Sequence, residues 1–556
     1  MILRRRRRRR GLELDPDEIF LDSSNTSGFD RSQLEGRLEK PIDRTTFAGI
    51  GIVIALMFTT LLTQAANLQI HQGDEYAARS ERNRLRPQVL FAERGAIVDR
   101  NGEPLVYNEE GEDGFVKRVY AYPGFSHLLG YVSYPKKDSS GNFYETKIEG
   151  LNGVEEAFDL ALSGENGTLL VEEDAHGDIQ SSGTVKPATK GQTVTLSIDA
   201  RAQRAFAHSI SELADRIPFM GGSAILMDVN TGEVRALVSY PEYDPNVLSS
   251  GGPSNVIAGY QTNPRRVYLD RAVSGIYTPG SIVKPMEAAG AISDGVVTPE
   301  WGIVSTGSIS IPNPYNPDKP SIFKDWKAHG WVDARRAIAV SSDVYFYAVG
   351  GGYGDVKGLG IERLKYWFEA FGFTSPTGIE LSGEASGFVP DPAWKEAKYD
   401  EPWRLGDTYN TSIGQYAMQI TPLEAARAVA AVANGGKLVK PTLIKDAPLQ
   451  GQTIPISQDA LKVAREGMRL GAVEGTSVGL APLSFVKLAG KTGTAQLGVN
   501  NEFYNSWAVG YFPYDNPKYV YVVVMERGPS TNAIGGIYAT YQALAELHRT
   551  APEYFE

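Results

Sequence analysis

The sequence predicts a membrane-anchored protein in which a β-rich module precedes one large α/β domain. Twenty uncharged residues, Phe47 to Ala66, lie near the N-terminus. Short strand-like runs rich in glycine and charge fill residues 68–190, and from Gly191 onward strand patterns at both ends enclose helical patterns. We therefore expect a tail at 1–45, a signal anchor at 46–67, the β-rich module at 68–190 and the α/β domain at 191–556.

The composition excludes several classes of function. The chain has 556 residues, enough for a large core, and no cysteine. Disulfide frameworks, thiolate metal sites and cysteine nucleophiles are therefore excluded. The net charge is −11 despite the unbroken basic run Arg4 to Arg10, which argues against a nucleic-acid partner for the main body. That run is typical of a solvated tail that is attracted to anionic lipid head groups.

The segment Phe47 to Ala66 is long enough to cross a membrane. A helix of twenty residues spans about 30 Å, the thickness of a bilayer core. No small-residue cleavage site follows, so an uncleaved anchor is favoured over a secretory signal and over a buried core helix. Four basic residues flank each side closely, and the run Arg4 to Arg10 favours a cytoplasmic N-terminus. We expect a single-pass protein of the cytoplasmic membrane with its body outside.

Individual elements can be placed along the chain from hydrophobic patterns and turn signals. The turn Asn230-Thr-Gly232 predicts a hairpin between two apolar runs. The other predicted elements are strands at Gly95–Asp99, Thr168–Glu172, Thr193–Ser197, Ser223–Val229, Glu233–Val238, Ser506–Tyr511 and Lys518–Met525, and helices at Asp199–Asp215, Ile282–Ile292 and Thr540–His548. Strands at both ends of the region 191–556 indicate a single domain.

A serine activated by a nearby lysine is the chemistry that the motifs favour. The six histidines have no metal-ligand spacing, and G-x-S-x-G is absent. Ser-x-x-Lys occurs at Ser133, Ser281, Ser321 and Ser484, but only Ser281 follows Pro-Gly and opens a helix-like segment. There Lys284 shares a helix face with Ser281, and the helix N-terminus favours an oxyanion. On this pattern alone, a simple N-cap serine remains an alternative.

Two further motifs favour catalysis. Ser341-Ser342-Asp343 begins 60 residues after Ser281, and Lys491-Thr492-Gly493 begins 150 residues after that, next to the final strand pair. Each motif is weak alone, since Ser23-Ser24-Asn25 in the tail would also match the second. The ordered set within one α/β domain is a strong signal.

With these motifs the chain resembles the penicillin-binding transpeptidases. The segments that carry the resemblance are Tyr277-Thr-Pro-Gly-Ser-Ile-Val-Lys-Pro285, Ser412-Ile-Gly-Gln415, Thr421-Pro-Leu423, Ala433-Asn-Gly-Gly436 and Lys491-Thr-Gly-Thr-Ala-Gln496. Upstream, Glu93-Arg-Gly-Ala-Ile-Val-Asp-Arg-Asn-Gly102 and Gly150-Leu-Asn-Gly-Val-Glu-Glu156 are similar to the class B pedestal domain. No glycosyltransferase-sized segment precedes them, which implies class B. The resemblance implies an antiparallel sheet flanked by helices, with a dimerisation-type pedestal at 68–190.

The resemblance also implies a function and a role for each motif residue. It implies a peptidoglycan D,D-transpeptidase that needs no cofactor, acts on stem peptides of lipid II or nascent glycan, and is acylated by β-lactams. Ser281 would be the nucleophile, Lys284 its base, Ser341 a proton relay and Asp343 a positioning group. The charge of Lys491 would favour a neutral Lys284. The substrate carboxylate would bind Lys491, Thr492 and Thr494 around Gly493, and the N–H groups of Ser281 and Thr494 would form the oxyanion hole.

Asp343, in place of asparagine, resembles the elongation-type class B proteins of the penicillin-binding protein 2 group. Phe323-Lys-Asp-Trp-Lys327, His329-Gly330 and Asp343-Val-Tyr-Phe-Tyr347 support the same likeness. Some members of that group hold zinc near here, partly through a cysteine where this chain has Ser342. Asp325 and His329 remain as a weak metal possibility, and we expect no metal. The group's partner would be a RodA-type SEDS glycosyltransferase.

Other functions remain open at this point. A septal transpeptidase, a serine β-lactamase, a β-lactam sensor and a non-catalytic scaffold share parts of the pattern. The long motif spacing and the anchor weigh against a β-lactamase. The complete motifs weigh against a dead enzyme, and the single anchor weighs against a multi-pass sensor.

Overall fold

The computed structural model describes residues 43–111, 116–139, 143–173, 179–313 and 316–556. The chain divides into two compact units, Met1–Arg86 with Glu172–Asp178, and Pro87–Val171 with Ile179–Glu556. The basic run Arg4 to Arg10 and the tail motif Ser23-Ser24-Asn25 lie outside the described residues.

The first unit contains the predicted anchor helix. Helix α1 (Arg44–Ala66) begins three residues before the predicted start and continues as a π-helical turn, Asn67–His71. It is long and apolar enough to cross a membrane, and none of its residues is buried within the protein. Among the described residues it is the one helix that meets this test. Helix α2 (Gly73–Arg84) follows in a segment where the sequence pattern predicted only β structure.

The pedestal segment is irregular and β-rich, as predicted. Its elements are β1 (Leu85–Leu90), β2 (Ile97–Val98), β3 (Pro104–Glu110), β4 (Val116–Tyr120), α3 (Ser126–Leu129), β5 (Tyr131–Ser133), β6 (Glu149–Leu151), α4 (Gly153–Ala157), α5 (Asp159–Ser163), β7 (Gly167–Glu173), β8 (Ile179–Lys186) and β9 (Val194–Thr195). Within the second unit, β1 from Pro87 onward, β7 up to Val171, and β8 form a sheet, and a second sheet has the order β4-β3-β2-β9. The predicted strand Gly95–Asp99 is only two residues long.

A buried charge network joins the two pedestal motifs. The Arg94 and Arg118 guanidiniums donate to opposite oxygens of Glu155, at 2.6 and 2.8 Å. All three side chains are at most 2% exposed. Arg94 also pairs with Asp159 at 2.7 Å. A buried ion pair is stable only when its partners satisfy one another, so each of these charges depends on the others.

The α/β domain is built on a five-stranded antiparallel sheet. Its strands are β10 (Gly221–Asp228), β11 (Val234–Tyr240), β18 (Ala489–Leu497), β19 (Phe503–Phe512) and β20 (Tyr519–Pro529), in the order β11-β10-β20-β19-β18. Alternate residues of β10 enter different apolar clusters, Ile225 and Met227 on one face, Ala224 and Leu226 on the other. Both faces are covered, which explains the nearly continuous apolar runs of these strands.

Helices cover the two faces. Helices α6 (Ala200–Arg216) and α17 (Gly536–Thr550) cover one face, and α15 (Pro422–Ala433) and α16 (Gln458–Glu474) lie on the other. The remaining helices are α7 (Pro245–Ser249), α8 (Ser254–Thr262), α9 (Lys284–Ser293), α10 (Ala334–Val340), α11 (Asp343–Gly351), α12 (Gly360–Ala370), α13 (Pro392–Tyr399) and α14 (Leu405–Ser412). Short antiparallel pairs are formed by β12 (Gly302–Ser305) with β15 (Gly330–Asp333), β13 (Ser308–Ile311) with β14 (Ser321–Lys324), and β16 (Lys437–Val439) with β17 (Gly451–Thr453).

Candidate active site

Ser281 lies on a short 3-10 turn, Gly280–Val283, that leads into α9. The predicted helix therefore exists, but its first turn is tighter than an α-helix. Gly280 has a left-handed φ of 57° and donates its N–H to the Gly414 carbonyl at 2.9 Å. Gly414 also has a left-handed φ, 72°, and a Cβ there would lie 2.2 Å from the Gly280 oxygen. These two glycines bring the segment around Ser281 into close backbone contact with the Ser412–Gln415 stretch.

Lys284 connects the first motif to the second. It is fully buried at the first residue of α9, and its Nζ donates to Asp343 Oδ1 at 2.5 Å. It also donates to the Ser341 carbonyl at 2.9 Å and approaches Ser341 Oγ at 3.3 Å. The Phe346 ring lies 5.2 Å from Nζ. The Ser281 hydroxyl is half-buried and has no hydrogen-bond partner among the described residues, Lys284 included. Catalytic hydrogen bonds often form only when substrate is bound.

Ser341 occupies a left-handed turn between α10 and α11. Its φ of 61° is unusual for a residue other than glycine. Ser342 caps α11 by accepting the Tyr345 N–H, a common role of serine at this position. The turn directs Ser341 Oγ towards both lysines, because Lys491 Nζ donates to it at 2.9 Å. A hydroxyl has one hydrogen and two lone pairs, so Ser341 can pass a proton between these groups.

Lys491 lies inside β18, the edge strand of the large sheet, directly before the predicted strand pair β19–β20 in the chain. It is fully buried, and its Nζ also donates to the Thr492 carbonyl at 2.8 Å. Burial, and then the positive charge of Lys284, lower the pKa of Lys491 well below its usual range, while Asp343 opposes the shift. The sequence-based expectation placed the lowered pKa on Lys284; the structure puts a large downward shift on Lys491.

The next three residues of β18 alternate between the two sides of the strand. Thr492 is half-buried and its hydroxyl bonds Thr476 Oγ1 at 2.7 Å. Gly493 is buried against the Pro279 carbonyl, and a Cβ there would lie 2.5 Å from that oxygen. Thr494 is exposed, and its carbonyl accepts from the Gln415 amide at 3.4 Å. The strand therefore runs directly along the nucleophile segment.

The weak metal possibility does not fit the residues present. Asp325 and His329 lie close together, with Oδ1 and Nε2 3.4 Å apart. Within the described ranges, no group of three His, Asp or Glu side chains is arranged to hold a metal ion. Zinc in proteins takes three or four such ligands. Ser342 offers a hydroxyl that already donates to Asp325 Oδ2 at 2.8 Å.

The sequence analysis missed two residues of this region. Thr476 connects the third motif to the helix before the second, because its hydroxyl accepts from Thr492 and its N–H donates to the Ala339 carbonyl of α10 at 3.0 Å. No pattern in the sequence singled it out. Glu287 lies one turn after Lys284, fully buried, with both carboxylate oxygens lacking a hydrogen bond within the described residues. Burial raises its pKa well above the usual range, although Lys284 opposes the shift. The sequence feature that could have revealed Glu287 is the presence of a single glutamate within an apolar helical segment.

Comparison with known families gives two matches along the chain. Residues 222–543 match the family described as "Penicillin binding protein transpeptidase domain". Residues 115–196 match the family described as "Penicillin-binding Protein dimerisation domain". The first match covers more than half of the chain and contains all three motifs.

Individual relatives are similar over most of their length. The chain is 30% identical to a peptidoglycan D,D-transpeptidase MrdA of Haemophilus influenzae, with 88% of this chain and 89% of that protein covered. Among solved structures, it is similar to Pseudomonas aeruginosa PBP2 in complex with WCK 5153, with a TM-score of 0.68 and 28% identity over 83% of this chain and 96% of that one. It is also similar to Helicobacter pylori PBP2 in a complex with MreC, with a TM-score of 0.69 and 25% identity over 84% and 100%.

Proposed function

The chain belongs to the penicillin-binding protein transpeptidase family, and we propose that it is a peptidoglycan D,D-transpeptidase of cell-wall elongation that β-lactams acylate. One observation carries the assignment of its site. Lys284, Ser341, Asp343 and Lys491, from three distant parts of the chain, form one hydrogen-bonded network directly after the turn that holds Ser281. We place the pedestal at 68–190 and the transpeptidase domain at 191–556.

The reaction proceeds through a serine ester. Ser281 Oγ attacks the carbonyl between two D-alanines of a stem peptide, and the N–H groups of Ser281 and Thr494 stabilise the oxyanion. The C–N bond breaks, and the terminal D-alanine leaves as an amine with the proton that Ser281 lost. An amine of a neighbouring stem then attacks the ester, the bond to Ser281 Oγ breaks, and the proton lost by that amine returns to Ser281. Lys491, Thr492 and Thr494 hold the substrate's terminal carboxylate around Gly493.

The network gives the serine proton a route. A neutral lysine at pH 7 costs about 5 kcal/mol when its pKa is unperturbed. Lys284 is paired with Asp343, and burial lowers the pKa of Lys491, which favours its neutral form. Lys284 therefore accepts the proton of Ser281 as it passes one of its own through Ser341 Oγ to Lys491. Ser341 later returns a proton to the leaving amine.

Labelling with a fluorescent penicillin tests the nucleophile. We expect a long-lived adduct on Ser281 by mass spectrometry, and no adduct in the Ser281→Ala variant. Ser484→Ala is the matched control, because Ser484 also begins a Ser-x-x-Lys match but is exposed in a turn far along the chain. Labelling of Ser281→Ala would refute the assignment, and rapid release of the label would indicate a β-lactamase instead.

The base is tested by a charge-preserving substitution. Lys284→Arg keeps the positive charge beside Asp343, but arginine does not lose a proton at working pH. Acylation should therefore fall nearly as far as in Lys284→Ala, by orders of magnitude. A near-normal acylation rate in Lys284→Arg would exclude Lys284 as a proton acceptor.

A membrane partner is a further part of the proposal. A RodA-type SEDS glycosyltransferase would polymerise the glycan that this enzyme cross-links, with contacts through α1 and the pedestal. The hydroxyls of Thr59, Thr60 and Thr63 donate to carbonyls four residues earlier in α1, which leaves Gln64 as the polar side chain available to a neighbouring helix. Replacement of residues 47–66 by an unrelated span should weaken co-purification, and unchanged recovery in this variant and in a pedestal deletion would refute the contact.

The orientation rests on the basic run Arg4 to Arg10 at the N-terminus. We place the N-terminus in the cytoplasm and the body from residue 68 outside the cytoplasmic membrane. Protease added to intact spheroplasts should digest the body and spare the tail. Protection of the body would reverse the orientation.

A further inference from the structure

Asp325, the residue after β14, is the centre of a buried hydrogen-bond cluster. Its Oδ2 accepts from the Ser342 hydroxyl at 2.8 Å, the Val344 N–H at 3.1 Å and the Ser305 hydroxyl at 3.2 Å. Its Oδ1 accepts the N–H of Trp326 at 2.8 Å. Asp325 is 9% exposed, and its carboxylate accepts four hydrogen bonds. These bonds compensate the burial of the carboxylate and fix its orientation.

These bonds hold alternate residues of the turn between α10 and α11. Asp325 binds Ser342 and Val344, and the Trp326 indole donates to the Val340 carbonyl at 3.2 Å. The intervening residues, Ser341 and Asp343, are the ones whose side chains contact Lys284. The loop after β14 therefore holds the turn by hydrogen bonds on one side, and the side chains of Ser341 and Asp343 project from the other side.

The left-handed backbone conformation of Ser341 depends on contacts of this kind. A non-glycine residue with φ of 61° persists only when its surroundings hold it in place. The Ser341 N–H is shared between the Ala337 and Ile338 carbonyls at the end of α10, the latter at 3.3 Å. Trp326 and Asp325 add side-chain hydrogen bonds to the residues on either side of Ser341.

The donor set around Asp325 is complete without a metal. Ser305 and Ser342 supply hydroxyl donors to Oδ2, and His329 lies beside Oδ1; the described residues place no third His, Asp or Glu there to hold a metal ion. The chain has no cysteine to supply a thiolate. Hydroxyl and amide donors therefore fill the hydrogen-bonding capacity of the Asp325 carboxylate in this protein.

We propose that Asp325 is a positioning residue of the acylation step, which orients Ser341 and Asp343 through the turn that carries them and does so without a metal ion. The inference rests on the proposed function. Asp325 touches no reacting atom, so its loss should slow the chemical step and leave the noncovalent binding of penicillin unchanged. A displacement of about 1 Å at reacting groups can cost about 10²-fold in rate.

The test compares Asp325→Asn with Asp318→Asn in the full-length protein. Asp318 is exposed in the loop before β14, and its side chain forms no hydrogen bond or ion pair within the described residues. We expect about a 10²-fold loss in the acylation rate constant for Asp325→Asn alone, with the dissociation constant of the noncovalent penicillin complex unchanged. A wild-type rate constant in Asp325→Asn would overturn the proposal.

Metal content provides the second arm. Wild-type protein dialysed against a chelator should keep its acylation rate and contain far less than one zinc per chain. Loss of labelling on chelation, with recovery on adding zinc, would overturn the metal-free part of the proposal.

Two further variants apply if Asp325→Asn does not fold. Ser342→Ala and Ser305→Ala each remove one hydrogen-bond donor to Asp325 and should slow acylation by about tenfold or less. Wild-type acylation rates in both variants would refute the positioning role. Absence of any Ser281 adduct in the wild type would instead refute the proposed function itself.

Discussion

The two glycines beside the nucleophile give the sharpest test of the site, through the substitution Gly414→Ala. Gly414 has a φ of 72°, where an alanine costs about 1–2 kcal/mol. Its new Cβ would lie 2.2 Å from the Gly280 oxygen, so the two atoms must separate by about 1.2 Å to reach ordinary contact at 3.4 Å. Gly280 precedes Ser281 directly, and the shift is therefore transmitted to the nucleophile.

A displacement of this size at a reacting atom costs about 10²-fold in rate, or about 2.7 kcal/mol of transition-state stabilisation. The matched control is Gly383→Ala. Gly383 has the same φ of 72°, but the nearest atom to a Cβ there is Ser274 Oγ at 3.6 Å. It therefore carries the backbone strain without the clash and lies outside the site.

The assay is the acylation rate constant with a fluorescent penicillin, measured beside the melting temperature of each variant. Gly414→Ala should lose about 10²-fold in rate, whereas Gly383→Ala should keep a rate within twofold of the wild type and share the strain-related loss of stability. Equal rates in the two variants would show that the contact between Gly414 and Gly280 does not position Ser281.

Three further outcomes follow from the buried groups. Glu155→Gln should destabilise the protein by about 3–5 kcal/mol, because two buried arginines lose the negative charge that pairs with them. Asp515→Asn, at an exposed ion pair, should cost at most about 1 kcal/mol. Equal denaturation midpoints in the two variants would contradict this prediction. The raised pKa of Glu287 makes the folded state hold a proton that the unfolded chain loses above about pH 4.3. The folding stability therefore falls as the pH rises from there through the folded pKa, and Glu287→Gln should raise the melting temperature more at about pH 7.5 than at pH 4. A difference in melting temperature that does not depend on pH would refute a neutral Glu287. Thr476→Val should slow acylation by about tenfold by leaving the Thr492 hydroxyl unpaired, and an unchanged rate constant would exclude Thr476 from the site.

Much of the fold was predictable because its signals are local. The strands of the central sheet are buried on both faces and read as apolar runs, and the hairpin turn at Asn230–Gly232 is marked by its glycine. Helix α6 begins after the capping Asp199, as its sequence indicates. Helix α2, which is polar and short, had no apolar stripe to reveal it.

The network of the site was only partly predictable. The motif order indicated that Ser281, Lys284 and Lys491 belong together, but it contained no information on burial. The pKa of Lys491 depends on its depth in the edge strand and on the distance to Lys284, and neither follows from spacing. Thr476 and Asp325 act through contacts with residues far away in the chain, and such contacts leave no periodic pattern in the sequence.

The strand order of the large sheet has a consequence for the synthesis of the protein. Strand β10 pairs with β20 along its whole length, from Gly221 opposite Glu526 to Asp228 opposite Tyr519. The partner of this early strand therefore leaves the ribosome long after it. Pairing between such distant segments slows folding, because the entropy of closing a long loop is lost before the contacts that stabilise the closed loop can form. A chain that lacks β20 cannot complete the sheet, and its apolar strands are prone to aggregate until β20 has been synthesised.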